Sequence, residues 1–326
     1  MKLRIATRSS NLALVQARWV GQQLQEHFPE LTIEEVHVVT KGDRVQDRPL
    51  AQIGGKGLFV SEVEAVVVRG EADFAVHSLK DVPGDVPLAE GMGILSIPVR
   101  EDPRDVLVTV DGIDLASLPR GARVGTTSCR RIVQLQRRRP DLTFVPMRGN
   151  IETRLRKLRE GRCDAIVLAA AGLSRVGLLD QVPHEVLSPD LCLPAVGQGA
   201  LAIEGPLSNE ALQEQVRAIE DSIARIEITA ERAMLQKLEG NCYAPIAGHA
   251  TIADARIMLE GLVTSYDGDQ LLTAASDTYM DPGAPDAIER AHALGEEVAV
   301  HLLERGAKDL IRQAELAAMQ SQLTTN

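Results

Sequence analysis

The sequence repeats one plan of strands and helices, and this repeat limits the possible folds more than any other feature. In each copy a strand leads through a serine-containing loop into a helix, and an apolar strand follows later. The matching segments are residues 3–7 with 122–126, 31–33 with 142–144, and 69–76 with 160–167. Strands that alternate with helices form a mainly parallel sheet covered on both faces. The repeat therefore predicts two similar α/β lobes with a cleft between them, where strand ends and helix N-termini form anion sites.

The last third of the chain follows a different plan. Residues 209–239 are typical of a helix, and strands separated by turns come next. The predicted strands are 246–251, 256–264 and 271–278, and the predicted helices after them are 284–305 and 307–320. Strands that are followed by helices indicate a small α+β domain.

Much of the positive charge lies in one block. Between Arg120 and Arg162 there are thirteen Arg and Lys residues against three acidic ones, although the whole chain has a net charge of −11. Twelve of the thirteen are Arg, whose planar guanidinium binds a carboxylate or phosphate through two parallel hydrogen bonds. The block predicts a ligand with several anionic groups; a solvated basic helix face is the alternative. Aromatic residues make up only 2% of the chain, so bases have little surface to stack on and a nucleic-acid partner is disfavoured.

Other features argue against a membrane protein, an exported protein and a metalloprotein. The longest apolar run, residues 165–173, is much shorter than the roughly 18 residues that a membrane span needs. The first residues lack the apolar segment of a secretory signal, so we expect a cytoplasmic protein. The four cysteines have no CxxC spacing and no His at ligand spacing, which argues against a zinc site and against disulfides. They are Cys129, Cys163, Cys192 and Cys242.

Cys242 differs from the other cysteines because it lies on a predicted loop. The preceding Gly240 and Asn241 form a helix C-cap, and the chain then turns towards Pro245. Cys163, in contrast, adjoins a buried strand. A thiol on a loop is either inert or a candidate for covalent chemistry.

The segment His77–Pro83 contains the sharpest candidate for catalysis. It directly follows a buried strand, and the end of such a strand is where catalytic groups lie in α/β sheets. Asp81 can act as a general acid, or as a fixed negative charge beside a developing cation. Lys80 can bind an anion or form a Schiff base. The alternative is that Asp81 only caps a turn.

Several cationic residues are predicted at helix starts, where their charge opposes the helix dipole unless an anion binds there. These are Arg8, Arg130, Arg131 and Arg148. The segment Gly54–Gly57 also opens a helix, so that its N–H groups and Lys56 can hold an anion. That segment lacks the P-loop pattern, and a plain glycine turn is the alternative. Arg137–Arg139 end a helix, which indicates a solvated face.

Eight ordered blocks together resemble the porphobilinogen deaminase family. They are Ile5–Ser10 with Leu12 and Ala13, Gly54–Phe59, His77–Pro83, Arg100–Asp105, Gly125–Ser128 with Arg130 and Arg131, Arg148–Asn150 with Thr153 and Arg154, Leu193–Ala200, and Leu238–Cys242. The resemblance implies two lobes of the periplasmic-binding-protein plan with mainly parallel sheets, and a small α+β C-terminal domain. We expect the first lobe at 1–98 with 199–217, the second at 99–198 and the third domain at 218–326.

The resemblance also implies an activity, that of a transferase (hydroxymethylbilane synthase) of porphyrin and haem biosynthesis. Four porphobilinogen units condense in turn, with loss of ammonia, on a dipyrromethane primer, and water releases hydroxymethylbilane. By the same resemblance a thioether joins dipyrromethane to Cys242, and Asp81 helps the amine to leave and stabilises the cationic azafulvene. By the same resemblance, one group of residues matches positions that bind the carboxylates of cofactor or substrate: Arg8, Ser10, Lys56, Lys80, Thr126, Ser128, Arg130, Arg131, Arg148, Arg154 and Arg175. Gln198 matches a position in the family's Gly-Gln-Gly segment near the lobe hinge.

The sequence departs from the family pattern at a few positions. Gln52 replaces a lysine of some relatives, and the other departures are Asn11 for Pro, Cys129 for Leu and Asn241 for Gly. Asn tolerates the left-handed backbone, so we expect cofactor attachment to survive. We expect a monomer that binds porphobilinogen and neither nucleic acid, membrane nor metal.

Two other classes of protein share some of these features. A solute-binding protein would have the lobes and the cleft. However, such a protein needs an export signal, and it has no need of a cysteine on a loop. A pyridoxal enzyme that uses Lys80 or Lys56 would show the yellow absorption of a Schiff base.

Overall fold

A computed structural model describes residues 2–44, 57, 59–240 and 245–323. The strands are β1 Lys2–Arg8, β2 Thr32–Val38, β3 Phe74–Ser78, β4 Met92–Ser96, β5 Asp105–Thr109, β6 Arg123–Gly125, β7 Thr143–Val145, β8 Ala165–Ala169, β9 His184–Val186, β10 Leu201–Pro206, β11 Ile246–Ala253, β12 Arg256–Thr264 and β13 Leu271–Tyr279. The helices are α1 Asn11–His27, α2 Lys41–Arg44, α3 Ser61–Val68, α4 Cys129–Arg138, α5 Ile151–Arg159, α6 Ala170–Arg175, α7 Glu210–Arg217, α8 Ser222–Lys237, α9 Ala287–Glu304 and α10 Ala307–Leu323.

Two five-stranded sheets share one topology. The sheet of the first lobe has the order β2-β1-β3-β10-β4, and that of the second lobe has the order β7-β6-β8-β5-β9. In each sheet the second strand pairs in parallel with the first and the third, and the fourth strand is antiparallel to both of its neighbours. The predicted α/β fold with two similar lobes is therefore confirmed.

In each sheet, the chain enters the antiparallel fourth strand directly from a strand of the other lobe. A first crossing segment, residues 97–104, leads from β4 into β5, and a second crossing segment, residues 187–200, leads from β9 into β10. The two segments run side by side, since Glu101 N donates to Gly199 O at 3.1 Å. Gly199 has φ +89°, and a Cβ there would overlap the carbonyl oxygen of Glu101. Only glycine permits this close approach of the two segments.

Both faces of each lobe sheet are covered, which explains why the central strands are apolar throughout. In the first lobe, Ile5 and Phe74 belong to the core on one face, and Ala75 packs with Val63 of α3 on the other. Strand β8 of the second lobe likewise divides its side chains between two cores.

The third domain is an antiparallel sheet, β11-β12-β13, against which α8, α9 and α10 pack. Asp254 and Ala255 join β11 to β12, and both have positive φ, as a tight two-residue hairpin turn requires. The predicted α+β domain is thus confirmed. Within the ranges given above, the helices are all too short or too polar to cross a membrane.

Candidate active site

A cavity of about 530 Å³ lies between the two lobes. The first lobe contributes the loops that follow β1 and β3, and the second lobe contributes the loops that follow β6, β7 and β8. These loops meet because the carboxyl ends of parallel strands lie at one edge of a sheet. Eight of the predicted site residues line the cavity: Arg8, Ser10, Lys80, Asp81, Arg131, Arg148, Arg154 and Arg175.

Asp81 is held in a short 3-10 turn, Leu79–Asp81, at the end of β3. Leu79 is buried in the core, and its N–H donates to the carbonyl of Ala200 at 3.0 Å. The turn is closed by Val82, whose N–H donates to Leu79 O at 3.0 Å. This anchoring leaves the Asp81 side chain half-buried at the cavity wall.

The Lys80 ammonium is beside Asp81 and connects the first lobe with the second crossing segment. Its Nζ donates to Gln198 Oε1 at 3.1 Å. The side chain is exposed to the cavity, and the walls of both lobes surround it. Burial and the nearby charge of Arg131 lower the pKa of Lys80 to about 8, although Asp81 opposes the change. An anion in the cavity would favour the charged form.

Three guanidinium groups come close together on the second-lobe wall. Burial, and then the charges of Arg131 and Arg148, lower the pKa of Arg154 to about 10. Arg154 Nε donates to Gly149 O at 2.8 Å, immediately before helix α5. The crowding of like charges beside a helix N-terminus is unfavourable by itself, and bound carboxylates would relieve it.

Arg175 supplies a further cation at the end of α6. Its Nη2 donates to Gly199 O at 2.7 Å. Burial lowers the pKa of Arg175 to about 10, and the charge of Glu101 opposes this effect. On the first-lobe wall, the guanidinium of Arg8 lies 3.9 Å from the centre of the Phe59 ring, a distance at which a cation and an aromatic face attract each other.

Asp105 is a functional residue that the sequence reasoning missed. Its carboxylate is completely buried at the start of β5 and pairs with Arg130 Nη1 at 2.8 Å and Arg131 Nη2 at 2.7 Å. Gln198 Nε2 also donates to Asp105, at 2.8 Å. Burial by itself would raise the pKa of Asp105, but the two guanidinium groups hold it far below its ordinary value. An acidic residue directly before the apolar run Val106–Val108 was the available signal.

The remaining predicted residues that the structure describes do not line the cavity. Arg130 is buried and donates to Leu193 O at 2.7 Å as well as pairing with Asp105. Gln198 is buried between the lobes, where it contacts Lys80 and Asp105. Thr126 and Ser128 lie at the start of α4, and their neighbour Thr127 faces the cavity. Lys56 and Cys242, with Gln52 and Asn241, lie outside the described residues.

A fully buried carboxylate, Glu231 on α8, ties the crossing segments to the third domain. It accepts hydrogen bonds from Arg100 Nη1 at 2.8 Å, Gly197 N at 2.7 Å and Ala250 N at 2.9 Å. These donors belong to the first crossing segment, the second crossing segment and strand β11. A change in the position of either crossing segment would therefore affect a side chain that also binds the third domain.

The fold and the site define a two-lobed protein whose cleft binds a molecule with several anionic groups and offers it one carboxylate. Residues 3–214 match the family described as "Porphobilinogen deaminase, dipyromethane cofactor binding domain", and residues 225–304 match "Porphobilinogen deaminase, C-terminal domain". The chain belongs to the porphobilinogen deaminase family, as predicted, and its first two lobes correspond to the cofactor-binding domain.

Relatives of similar length agree with this assignment. The porphobilinogen deaminase of Syntrophotalea carbinolica is 46% identical over 314 residues, which cover 96% of this chain and 96% of the relative. That of Geobacter metallireducens is 45% identical over 312 residues, covering 96% and 94%.

Among solved structures, the probable amino-acid ABC transporter extracellular-binding protein ytmK of Bacillus subtilis has a TM-score of 0.39 at 9% identity, covering 67% of this chain and 90% of that chain. The Bordetella pertussis BvgS periplasmic VFT2 domain has a TM-score of 0.39 at 19% identity, covering 67% and 86%. A likeness at this level concerns the fold alone.

The residues present fit a dipyrromethane, which carries acidic side chains. Arg131 is buried, and its Nε has no hydrogen-bond partner within the described part of the chain. A buried donor of this kind requires an acceptor, and a carboxylate in the cavity would supply one. Within the same ranges, no three or more His, Cys, Asp or Glu side chains are grouped to bind a metal.

Proposed function

We propose that this chain catalyses the stepwise condensation of four porphobilinogen units, with loss of ammonia, and the release of hydroxymethylbilane. The observation that carries the proposal is a half-buried carboxylate, Asp81, in a cleft to which both lobes contribute several cationic side chains. A polyacid substrate requires such cations, and a reaction through a cationic intermediate requires such a carboxylate. The family assignment over nearly the whole chain supports the same reaction.

The dipyrromethane cofactor, when bound through a thioether to Cys242, supplies the pyrrole carbon to which the first unit is added. We propose that the cavity-lining cations hold the carboxylates of cofactor and substrate. In the second lobe these are Arg131, Arg148 and Arg154, whose crowding supports the proposal. Arg8, Ser10, Lys80 and Arg175 lie around the same cavity. A second group of residues would position these cations without touching the carboxylates. It consists of Thr126, Ser128, Arg130 and Gln198.

Asp81 is proposed to hold two roles in turn. It donates a proton to the departing amine, and its carboxylate then stabilises the positive charge that develops on the substrate. A preorganised charge of this kind contributes about 3–4 kcal/mol where single donors have been removed from other enzymes. The burial of Leu79 and its hydrogen bond to Ala200 anchor the turn that carries this carboxylate.

Three further assignments are part of the proposal. The domain limits are 1–98 with 199–217, 99–198 and 218–326, which the strand composition of the three sheets supports. The protein is proposed to be cytoplasmic and monomeric. Light scattering after size-exclusion chromatography tests the second of these, and a dimer mass would reject it.

The reaction is tested by separating cofactor attachment from turnover. Intact-protein mass spectrometry should show a two-pyrrole adduct that is absent from Cys242→Ser. Asp81→Asn should keep the adduct but lose turnover by about a hundredfold or more, as for the loss of one preorganised electrostatic group. Asp180→Asn is the matched control, because Asp180 occupies an exposed 3-10 turn in the second lobe. An active wild-type protein without the adduct would refute the proposal, and full turnover in Asp81→Asn would remove Asp81 from its role.

A further inference from the structure

Three ionisable side chains lie together in the first lobe, outside the cavity; two of them are buried and the third, Glu64, is half-buried. His77 on β3 and Glu204 on β10 are 4% and 1% exposed, and His77 Nε2 lies 2.8 Å from Glu204 Oε2. The register pairs His77 with Ala202, so Glu204 is two residues along on the same face of the sheet. The second oxygen, Glu204 Oε1, is also buried and finds no donor among the residues that the structure describes. A buried carboxylate oxygen without a donor requires an explanation.

The carboxyl group of Glu64 explains the missing donor. Glu64 lies on α3, within hydrogen-bonding reach of Glu204, and its Oε1 accepts from Ala89 N at 2.6 Å. Two ionised carboxylates offer only acceptors, so a hydrogen bond between them requires one proton. Burial raises the pKa of Glu64 above its ordinary value, the Ala89 N–H lowers it, and Glu204 raises it further. These contacts favour the protonated form of Glu64.

We propose that Glu64, His77 and Glu204 form a one-proton latch that holds α3 on the sheet of the first lobe. Glu64 donates its proton to Glu204 Oε1, and His77 donates its Nε2–H to Glu204 Oε2. Both oxygens of the buried Glu204 carboxylate then have a donor. The latch requires neither substrate nor cofactor, so it stands apart from the reaction proposed above.

The latch joins two elements that carry parts of the cavity wall. Helix α3 follows Phe59, whose ring contacts the Arg8 guanidinium, and β3 leads directly into Lys80 and Asp81. Glu64 is therefore a positioning residue for the first-lobe side of the cavity. Loosening α3 would move Phe59 away from Arg8 and so change the first-lobe wall of the cavity.

The groups around Glu64 determine how the latch responds to pH. Among the described residues, Glu204 on β10 and His77 on β3 are ionisable groups that act on the pKa of Glu64, and the segment before β4 contributes the Ala89 N–H. The buried side chains of α3 are valines. Because the folded-state pKa of Glu64 is raised, its contribution to stability is complete below the unfolded pKa and is lost as pH rises through the folded pKa. Above that pH the half-buried carboxylate of Glu64 faces the buried carboxylate of Glu204.

The first measurement is the titration of Glu64 in the wild-type holoenzyme, followed by ¹³C-carboxyl NMR. We expect its resonance to change at a pH above the ordinary pKa of a glutamate. A titration of Glu64 at or below that ordinary value would overturn the proposal. This measurement requires no substitution, so it decides the question even if a variant fails to fold.

The second measurement is hydrogen exchange of the α3 amides at increasing pH, without turnover. In wild type, the exchange corrected for its intrinsic rate should rise by up to about tenfold per pH unit between the unfolded and the folded pKa of Glu64, and it should level off above the folded pKa. Glu64→Gln should abolish this rise, because an amide donates to Glu204 and accepts from Ala89 at any pH. Glu71→Gln, with the same charge change on the exposed Glu71–Arg69 pair, should behave as wild type. An unchanged rise in Glu64→Gln would refute the latch.

Discussion

Replacement of Asp105 by asparagine should destabilise the protein strongly. The carboxylate is completely buried and neutralises part of the charge of Arg130 and Arg131, which are themselves buried. Removal of one partner of a buried ion pair costs about 3–5 kcal/mol, because the other charge stays buried without compensation. The asparagine would keep the shape of the side chain, but its NH₂ group would face one guanidinium. We therefore expect the free energy of unfolding to fall by about 3–5 kcal/mol.

The loss is measured by urea unfolding of the holo-protein, with circular dichroism for the whole chain. The single tryptophan, Trp19, packs against the core of the first lobe, so its fluorescence reports on that lobe separately. The matched control is Glu160→Gln, which makes the same charge change in an exposed pair with Arg156. This control should cost about 0.3–0.5 kcal/mol, as for other exposed helix pairs.

Acidity provides a second check on the same reasoning. The folded-state pKa of Asp105 lies below the unfolded value, so its contribution is present above the unfolded pKa and is lost as pH falls through the folded pKa. The stability difference between wild type and Asp105→Asn should therefore disappear only in strong acid. If Asp105→Asn is as stable as Glu160→Gln at neutral pH, the buried-charge reasoning is wrong.

Two further predictions concern the cations of the cavity. Arg148→Leu should raise KM for porphobilinogen or impair cofactor assembly by about 10- to 150-fold, the equivalent of one charge-assisted hydrogen bond of about 1.5–3 kcal/mol. Arg138→Leu should change neither, because Arg138 is exposed, does not line the cavity and donates to the Asp190 carbonyl. Equal effects in the two variants would contradict the site. The kcat/KM of wild type should fall above a pH of about 8, where Lys80 loses its charge. Lys80→Arg should extend activity to higher pH, and an unshifted alkaline limb would exclude Lys80 as its cause.

Local sequence was enough to predict the lobes but not the exchange of strands between them. Alternation and buried apolar runs predicted β3 and β8, since a central strand covered on both faces must be apolar throughout. Similar apolar runs occur in β5 and β10. They indicate that these strands are buried, but they do not show which strand each one pairs with or in which direction. Each of these strands pairs with segments that lie far away in the sequence. Tertiary packing therefore decides this part of the topology.

The site could be predicted to a similar extent. Lys80, Asp81 and Arg148 lie at the cavity because strand ends and helix starts meet there, which is a rule of position. Arg130 and Arg131 occupy the same helix start, but successive residues of a helix point about 100° apart. Arg131 accordingly reaches the cavity, whereas Arg130 is buried away from it. No local pattern shows which of the two does so, and the carboxylate that binds both comes from another strand.

The position of β10 has a consequence for the order in which the newly made chain can fold on the ribosome. This strand lies between β3 and β4, so the sheet of the first lobe stays incomplete until residue 206 has been synthesised. The second-lobe strands, residues 105–186, are contiguous and are all made earlier. Domains usually fold from the N-terminus during synthesis, but here the second lobe can close first. Strands β3 and β4 meanwhile have open edges that can pair with other chains.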